Sequence, residues 1–448
     1  MQPLDTVYLQ ILKNLCTDSS DPVTLTGVDA SALYRLAEKH CSLPFLLPYF
    51  ENQPQFSALK QQTKQMLLSY YQLEHFTSLT FSLLLAEKIP CFLLKGISLA
   101  ANYPVPEYRK LGDLDLYINE KEAFSRACRI LEAHGCVEEP EDSDHHVTYR
   151  YTFPDTHRSF TLELHYRIVG VYQFARANEL VDEIFSTDHL IASSLTLYGQ
   201  SYPVLPPTEN VFYMLHHMLK HYLYSGFGSR LLCDFTLYLK KYALEVDFEK
   251  IHFWCRESKI FHLYELILES CRIYFGLPSS VDPKVHCSAA DCAVFLEKIL
   301  ADGDFGSDTK KKIVSSGSYQ HGGVFAWFQE GLIQMKLRFP KLHKCVLLWP
   351  VLWSITFFCF LSNTYRVRHT TLRQTLADFR ADNQILHVAD DGAVAHDPPH
   401  ADSFSVLVGH QRVEAVVKPP SRLVPAELPE MYRLPKLHIC VNVQLVLH

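Results

Sequence analysis

The segment DLDLYI, residues 113–118, constrains the fold more than any other part of the chain. Its acidic and apolar side chains alternate, and successive side chains of a β-strand point to opposite faces of a sheet. Asp113 and Asp115 therefore share one face of a short strand, while the leucines that follow them pack on the other face. This pattern predicts a sheet that buries one face in a core and presents two neighbouring carboxylates on the other.

Further strands and a helix are predicted around this segment. CFLL, which follows Pro90, is short and apolar in the manner of a buried strand. After DLDLYI, Asn119 is placed to cap a helix with Glu122 three residues on, and Gly135 is placed to end it. HVTYRYTF and FTLELH then predict the two strands of a hairpin. Glu163 lies in the second of them, on the face opposite the leucines beside it.

Helical patterns lie on both sides of this mixed core. Upstream, SALYRLAEKH and LKQQTKQMLLSYYQLEHF carry apolar residues at spacings of three and four. Downstream, the same period returns at Glu209, behind a Thr208 cap, and continues to about Asn383. We predict an α+β fold with a small mixed-sheet core flanked by N-terminal and C-terminal helical regions. The predicted regions are residues 1–88 (helical), 89–206 (core), 207–384 (helical) and 385–448 (a Pro-rich tail without an assigned function).

Composition narrows the class of protein. The net charge is −7 and there is no long run of Lys and Arg, which disfavours a large nucleic-acid partner. The thirteen cysteines form no CxxC pair, and an odd number cannot be fully paired within one chain, so a reducing compartment is favoured. The N-terminus lacks a basic stretch before a long apolar run and does not resemble a signal peptide. We expect a globular cytoplasmic protein.

One apolar run, residues 345–361, has two interpretations. CVLLWPVLWSITFFCFL contains seventeen residues without a charge, which is the lower edge of the length that spans a membrane. Pro350 lies inside the run, and basic residues occur on both sides of it. A kinked, buried C-terminal helix is favoured over contact with a membrane.

The two aspartates predict a metal site. Carboxylates one residue apart on a strand are hard oxygen ligands that suit Mg²⁺ or Mn²⁺, which also bind substrate phosphates. Glu163, on a neighbouring strand, has the right facing for a third ligand, or for a base that deprotonates an acceptor hydroxyl. An isolated DxD pair is more often a solvated pair, so the prediction depends on the third carboxylate and on the order of the surrounding elements.

A phosphate-binding element is predicted upstream, in LLKGISLA. It lies between a strand and the start of a helix, where backbone N–H groups commonly hold a phosphate. Gly96 permits a close approach of the backbone, Lys95 would neutralise phosphate charge, and Ser98 would donate a hydrogen bond. Arg109, just before the aspartate pair, is a second cation within reach.

LLKGISLAANYPVPEYRKLGDLDLYI followed by LELHYRI resembles a family of mostly uncharacterised bacterial nucleotidyltransferases related to the polymerase β superfamily. The resemblance implies a nucleotidyltransferase core in which Asp113, Asp115 and Glu163 hold metal ions around a nucleoside triphosphate. It also implies transfer of a nucleoside monophosphate to an acceptor hydroxyl, with release of pyrophosphate. Lys95 and Gly96 replace the Gly-Ser element of the wider superfamily, and Ser98 is the candidate substitute for its serine. The acceptor, a small molecule or a peptide or protein side chain, is left open.

The same resemblance covers HHMLKHYLYSGFGSRLLCDFTLYL, in which His217, Lys220, His221, Arg230 and Asp234 match the family pattern. The favoured interpretation is that the first three contact the triphosphate or the acceptor. The alternatives are a structural polar cluster tied to Asp234, and a zinc pair for which no third ligand has a recognisable spacing.

Three further histidines and two alternative functions are also considered. His165 shares a strand face with Glu163 and either orients this residue or a phosphate, or is structural. His145 and His146 are assigned to a solvated loop. Because the Gly-Ser element is incomplete, a catalytically weak or inactive nucleotide-binding scaffold is the alternative function. A membrane-associated accessory protein that docks through residues 345–361 is the third hypothesis.

Overall fold

The structure is a computed structural model that describes residues 2–304, apart from residues 20, 140–142, 173, 187–188 and 223–225, together with 335, 339 and 345–356. The predicted helices beyond residue 304 and the predicted tail therefore lie almost wholly outside the described residues. The described part is a mixed sheet between helices, which confirms the predicted α+β class. The division into four regions stays a prediction.

The helices lie at the two ends of the described chain and between the strands. They are α1 (Pro3–Thr17), α2 (Ala30–Lys39), α3 (Phe56–Ala86), α4 (Ile97–Ala100), α5 (Lys121–Ala133), α6 (Ala175–Ile184), α7 (Pro207–Lys220), α8 (Ser229–Tyr242), α9 (Phe248–Glu257), α10 (Phe261–Phe275) and α11 (Ala289–Asp302).

The strands are β1 (Phe92–Leu93), β2 (Asp113–Tyr117), β3 (Val137–Glu139), β4 (His146–Thr152), β5 (Ser159–His165), β6 (Ser193–Leu197) and β7 (Gln200–Val204). They form one sheet in the order β3-β4-β5-β2-β1-β7-β6. β4 and β5 form the predicted antiparallel hairpin, whereas β2 pairs in parallel with β5. The acidic strand β2 is therefore a central strand, with the second strand of the hairpin directly beside it.

Two predicted helix starts are shifted. The helix after β2 begins at Lys121 with Glu120 at the N-cap position, so the predicted capping box of Asn119 and Glu122 is wrong. The cause is that the Ile118 N–H still donates to the His165 carbonyl at 3.0 Å, which prolongs the extended backbone.

The second shifted start is that of α7, which begins at Pro207 rather than behind a Thr208 cap. Proline is favoured in the first turn of a helix, because its missing N–H would have no helical partner there. The Thr208 hydroxyl instead accepts a hydrogen bond at 2.9 Å from the Asp247 N–H, just before α9.

The N-terminal helices pack on the C-terminal ones. The Tyr8 hydroxyl in α1 is buried and lies 2.7 Å from Ser42 Oγ and 2.8 Å from Ser229 Oγ at the start of α8. Helix α1 also contacts α10, and one continuous apolar core includes residues of both helical regions. The two helical regions are separate in sequence but share a core.

The apolar run at residues 345–361 is described as far as residue 356. Residues 349–356 are helical, so Pro350 lies in the first turn rather than at a kink. Leu352 is buried, but Leu347 and Val351 are exposed. The described part of the run is therefore buried on one face only, whereas the prediction was a buried helix. Among the described residues, no helix combines the length and the apolarity needed to cross a bilayer.

A buried histidine predicts the acid sensitivity of the helical core. His40 follows α2, where its Nδ1 accepts from the Ser229 N–H at 3.1 Å and its Nε2 lies 3.3 Å from the Leu300 carbonyl. Burial lowers the pKa of His40 to about 4, against 6.5 for an ordinary histidine. The folded state therefore holds His40 neutral, whereas the unfolded chain takes up a proton as the pH falls through 6.5.

The stability that neutral His40 confers is complete above pH 6.5 and is lost as the pH falls towards 4. One pKa unit corresponds to about 1.4 kcal/mol, so we expect a loss of about 3 kcal/mol over this window. Urea unfolding at pH 7 and pH 4.5 measures it. His40→Gln should lose less free energy between these values than wild type, whereas the exposed-site control His286→Gln should match wild type. Equal losses in all three proteins would show that His40 does not carry the effect.

Candidate active site

The pairing of β2 with β5 brings the predicted carboxylates together. Asp115 lies directly opposite Glu163 in the parallel register, and Asp113 lies opposite Thr161. Asp115 is fully buried, whereas the side chains of Asp113 and Glu163 are 34% and 21% exposed. The three carboxylates therefore form a row from the interior to the cleft, on one face of two neighbouring strands.

Lys95 joins the two aspartates. It follows β1, the other neighbour of β2, and its Nζ lies 3.3 Å from Asp113 Oδ2 and 2.9 Å from Asp115 Oδ1. Burial opposes the charge of Lys95, but the carboxylates of Asp113, Asp115 and Glu163 outweigh it and raise the pKa of Lys95 well above its usual value. The ammonium group of Lys95 therefore supplies the positive charge between the two aspartates.

His165 links Asp115 to Glu163. Its Nε2 lies 3.3 Å from Asp115 Oδ1 and 3.3 Å from Glu163 Oε2, as expected for a histidine that orients the acidic residues. Burial opposes its protonation, but the hydrogen bonds to these two carboxylates raise the pKa of His165. These contacts support an orienting role for His165 over a purely structural one.

Asp115 and Glu163, which lie opposite each other on β2 and β5, have pKa values that are shifted in opposite directions. Burial and the neighbouring charge of Asp113 raise the pKa of Asp115, although Lys95 and His165 act in the opposite direction. For Glu163, burial is outweighed by the hydrogen bond from His165 and by the charge of Lys95, and its pKa falls below the usual value. Glu163 is therefore the more strongly ionised of the pair.

One carboxylate oxygen of the site is buried without a partner. It is Asp115 Oδ2, which has no hydrogen-bond donor within the described part of the chain. One ligand atom from each of Asp115, Glu163 and His165 lies within 4.8 Å of the others, a spacing that suits a bound ion. A buried carboxylate oxygen is costly unless a hydrogen bond or an ion satisfies it. The residues therefore fit a cation at this position.

The predicted phosphate element lies at the mouth of the site. Gly96 has φ 74° and ψ −117°, a conformation that side chains disfavour, and a Cβ there would lie 3.4 Å from the Asp113 carbonyl oxygen. The positive φ explains why glycine follows Lys95. The Ser98 hydroxyl donates to the Leu94 carbonyl, so it is already occupied within α4. A phosphate-binding role for Ser98 stays a prediction and requires this bond to be exchanged.

A cleft of about 460 Å³ opens beside the carboxylates. Its floor includes Lys95, Gly96 and Asp113, and its walls include Tyr213, His217 and His221 of the α7 segment and Arg230 of α8. The volume is in the range of small-molecule sites, about 300–1,000 Å³. Sequence analysis missed Tyr213, whose spacing of four before His217 places it on the same helix face.

The predicted histidine pair lies in this cleft, but Lys220 does not line it. The rings of His217 and His221 are 4.5 Å apart, centroid to centroid. Burial lowers the pKa of His217 well below its usual value and that of His221 to about 4, which favours the neutral form of both rings. Lys220 is exposed. Within the described residues, neither histidine belongs to a group of three metal-type donors, so the zinc hypothesis gains no third ligand.

Arg109 is held by Asp234. Its Nε donates to Asp234 Oδ1 and its Nη2 to Asp234 Oδ2, both at 2.8 Å, and both residues are buried. The Tyr103 hydroxyl donates to the same carboxylate at 2.7 Å. Arg230 contacts Asp304 at 2.9 Å and approaches Asp234 at 3.8 Å. Arg109 lines the cleft within this network, and its contact with nucleotide stays a prediction.

His145 and His146 are buried, so their assignment to a solvated loop is wrong. His145 lies immediately before β4, whereas His146 is the first residue of β4 and pairs with His165 in the antiparallel register. The local sequence could not reveal this, because the burial comes from the neighbouring strand rather than from the loop before it.

The family to which the chain belongs shows that it is a nucleotidyltransferase. A family model described as an uncharacterised nucleotidyltransferase matches residues 26–276, which is more than half of the chain. The chain belongs to this family, which confirms the resemblance drawn from the sequence.

The chain was also compared with solved structures and with curated proteins. The crystal structure of an antigenic nucleotidyltransferase-like protein from Paracoccidioides brasiliensis is similar at 12% identity, over 49% of this chain and 96% of that chain, with a TM-score of 0.28. A comparison with curated proteins finds no match.

Proposed function

We propose that this nucleotidyltransferase uses Mg²⁺ or Mn²⁺ to move a nucleoside monophosphate from an NTP to an acceptor hydroxyl, with release of pyrophosphate. The observation that carries the proposal is the convergence of Asp113, Asp115 and Glu163 on neighbouring strands at the edge of a cleft. Hard carboxylate oxygens around a space that also admits phosphate are the usual environment of these ions.

The donor set fits the ion. Asp115 Oδ2 lacks a partner among the described residues, and Glu163 is held ionised, so both are suited to coordinate. A bound divalent ion would polarise the phosphate oxygens and neutralise the charge that develops on them. Because its pKa is lowered, Glu163 is a better ligand than a general base.

The chain's own groups bind and orient the triphosphate. The Lys95 ammonium group contacts both aspartates and would exchange one of these contacts for a phosphate oxygen. The backbone at Gly96 offers a close approach, and the rings of His217 and His221 line the opposite wall. Anionic phosphate would favour the charged form of both histidines. Together, these groups would hold the triphosphate along the cleft.

The acceptor is proposed to be a small molecule or a peptide or protein side chain. The cleft is of small-molecule size, and the net charge of −7 gives no basis for binding a long phosphate backbone. Cytoplasmic location is part of the same proposal and rests on the cysteine composition.

Calorimetric titration tests the nucleotide site. We expect wild type to bind an NTP at least about tenfold more tightly with Mg²⁺ than with EDTA, a difference of about 1.4 kcal/mol. The double variant Asp113→Asn/Asp115→Asn should lose this dependence, because it removes two charged oxygen ligands but keeps the side-chain volumes. Asp155→Asn, in the exposed turn between β4 and β5, is the matched control and should bind as wild type does.

Unchanged metal-dependent binding in the double variant would contradict the assignment of the site. Transfer is followed with an α-labelled NTP offered to small-molecule and protein acceptor pools. Metal-dependent binding without transfer of label or release of pyrophosphate in any pool would favour the scaffold hypothesis over the enzyme.

A further inference from the structure

Three buried histidines form a cluster next to the carboxylates, and the proposed reaction gives no role to two of them, His145 and His146. His145, His146 and His165 are 7%, 5% and 3% exposed. One ring nitrogen from each lies within 4.8 Å of the others. Imidazole rings are seldom buried together without a reason, because each ring carries two nitrogens that need partners.

The spacing of two of these nitrogens suits a tetrahedral ion. His145 Nε2 and His146 Nδ1 are 3.2 Å apart. Two nitrogens bound to one tetrahedral Zn²⁺ at about 2.0–2.1 Å would be about 3.3 Å apart. The two rings stand nearly perpendicular, at 84°, so their contact is edgewise rather than stacked. The pair therefore already has the separation that a shared ion requires.

Asp144 orients His145 in the manner of an outer ligand. Its Oδ1 lies 2.8 Å from His145 Nδ1, and its Oδ2 accepts from the Val171 N–H at 2.9 Å, which fixes the carboxylate. If Nδ1 of His145 donates to this carboxylate, its Nε2 is left with a lone pair that points towards His146. Metal-binding histidines commonly have this arrangement, in which a carboxylate fixes the tautomer.

His165 offers the third nitrogen. Its Nε2 is occupied by Asp115 and Glu163, whereas its Nδ1 is buried and has no hydrogen-bond partner within the described residues. Its ring centroid is 5.0 Å from that of His146 and 5.5 Å from that of His145. A buried nitrogen without a partner, beside two other histidines, is a donor for an ion.

We propose that His145, His146 and His165 bind one divalent transition metal ion, with Zn²⁺ as the preferred occupant. Three imidazole donors select Zn²⁺ or a neighbouring first-row metal rather than Mg²⁺, which prefers oxygen. The site shares the His165 ring with the carboxylate site but uses the other ring nitrogen, and it does not depend on the proposed reaction. It would fasten the start of β4 to the end of β5, and so hold the ring that orients Asp115 and Glu163.

Zinc titration of the purified full chain, stripped of metal and competed against a chromogenic chelator, tests the site. Wild type should bind one Zn²⁺ tightly at this position. His146→Ala should lose this binding, and Asp144→Asn should weaken it by about 10- to 100-fold, the usual effect of removing an outer carboxylate. His286→Ala, at an exposed histidine, and Asp113→Asn, at the carboxylate site, should leave the affinity unchanged.

Zinc affinity that is unchanged in His146→Ala, or that is lost in Asp113→Asn, would overturn the proposal. If the histidine variant does not fold, X-ray absorption of zinc-loaded wild type decides the question. Three nitrogen ligands at about 2.0–2.1 Å would support the proposal, whereas an oxygen-only shell would overturn it.

Discussion

Replacing Asp115 by asparagine is expected to lower the rate of nucleotidyl transfer by about 10³-fold while leaving the protein folded. Asp115 is the most buried of the three carboxylates and contacts both Lys95 and His165. A metal ligand of this kind is worth several kcal/mol in the transition state, and about 4 kcal/mol corresponds to 10³-fold in rate. The amide keeps the volume of the side chain but loses the charge that a divalent ion requires.

The stability of the same variant should move in the opposite direction. Burial and repulsion from Asp113 raise the pKa of Asp115, which means that its charge is held at a cost in the free protein. The asparagine removes this charge and can still accept a hydrogen bond from Lys95. We therefore expect a melting temperature equal to or above that of wild type.

Label transfer from an α-labelled NTP and thermal unfolding measure the two effects side by side. The exposed Asp155→Asn variant should match wild type in both measurements. Transfer at the wild-type rate by Asp115→Asn would remove Asp115 from the proposed chemistry. A large fall in melting temperature would instead assign Asp115 a structural role.

Replacing Asp234 by asparagine is expected to lower the free energy of unfolding by about 3–5 kcal/mol. The Arg109 guanidinium is 3% exposed and makes both of its short side-chain hydrogen bonds to Asp234. Without the carboxylate, a buried positive charge loses its counter-charge, and the cost of desolvating it is no longer offset. Arg230 cannot compensate, because it carries the same sign.

A double variant separates this effect from loss of packing. Arg109→Met removes the buried charge, and the amide that replaces the Asp234 carboxylate can still accept a hydrogen bond from the Tyr103 hydroxyl. Asp234→Asn/Arg109→Met should therefore recover more than half of the stability that Asp234→Asn loses. Urea unfolding provides all four free energies of the cycle. Additive losses in the double variant would show that the ion pair is not coupled in this way.

The strands that carry the carboxylates were predictable because their pattern is local. Alternation in DLDLYI and FTLELH fixes which side chains share a face, and the turn-prone PDTHRS between HVTYRYTF and FTLELH predicts the hairpin. The predicted strands appear as β2, β4 and β5. Helix starts were harder to predict, because a strand that continues by one hydrogen bond, as at Ile118, moves the cap.

The partners of these side chains were decided by contacts between distant parts of the chain. No local period states that β2 pairs in parallel with β5, which places Asp115 opposite Glu163. The same holds for Arg109, bound to Asp234 of α8, and for His146, buried against His165. The spacing of residues shows which side chains share a face of one strand or helix. Burial and charge pairing depend instead on which strands and helices contact each other.

The sequence by itself therefore determined the chemistry available to this protein: two carboxylates on one strand face, a third in the hairpin and a lysine-glycine element before them. Only the tertiary structure decided how that chemistry is arranged. In the folded chain, Lys95 lies between the two aspartates, and burial lowers the pKa of the cleft histidines. Three further histidines, His145, His146 and His165, lie close together beside the carboxylates. The physical reason is that electrostatic and hydration energies depend on distance in space, which the order of residues does not contain.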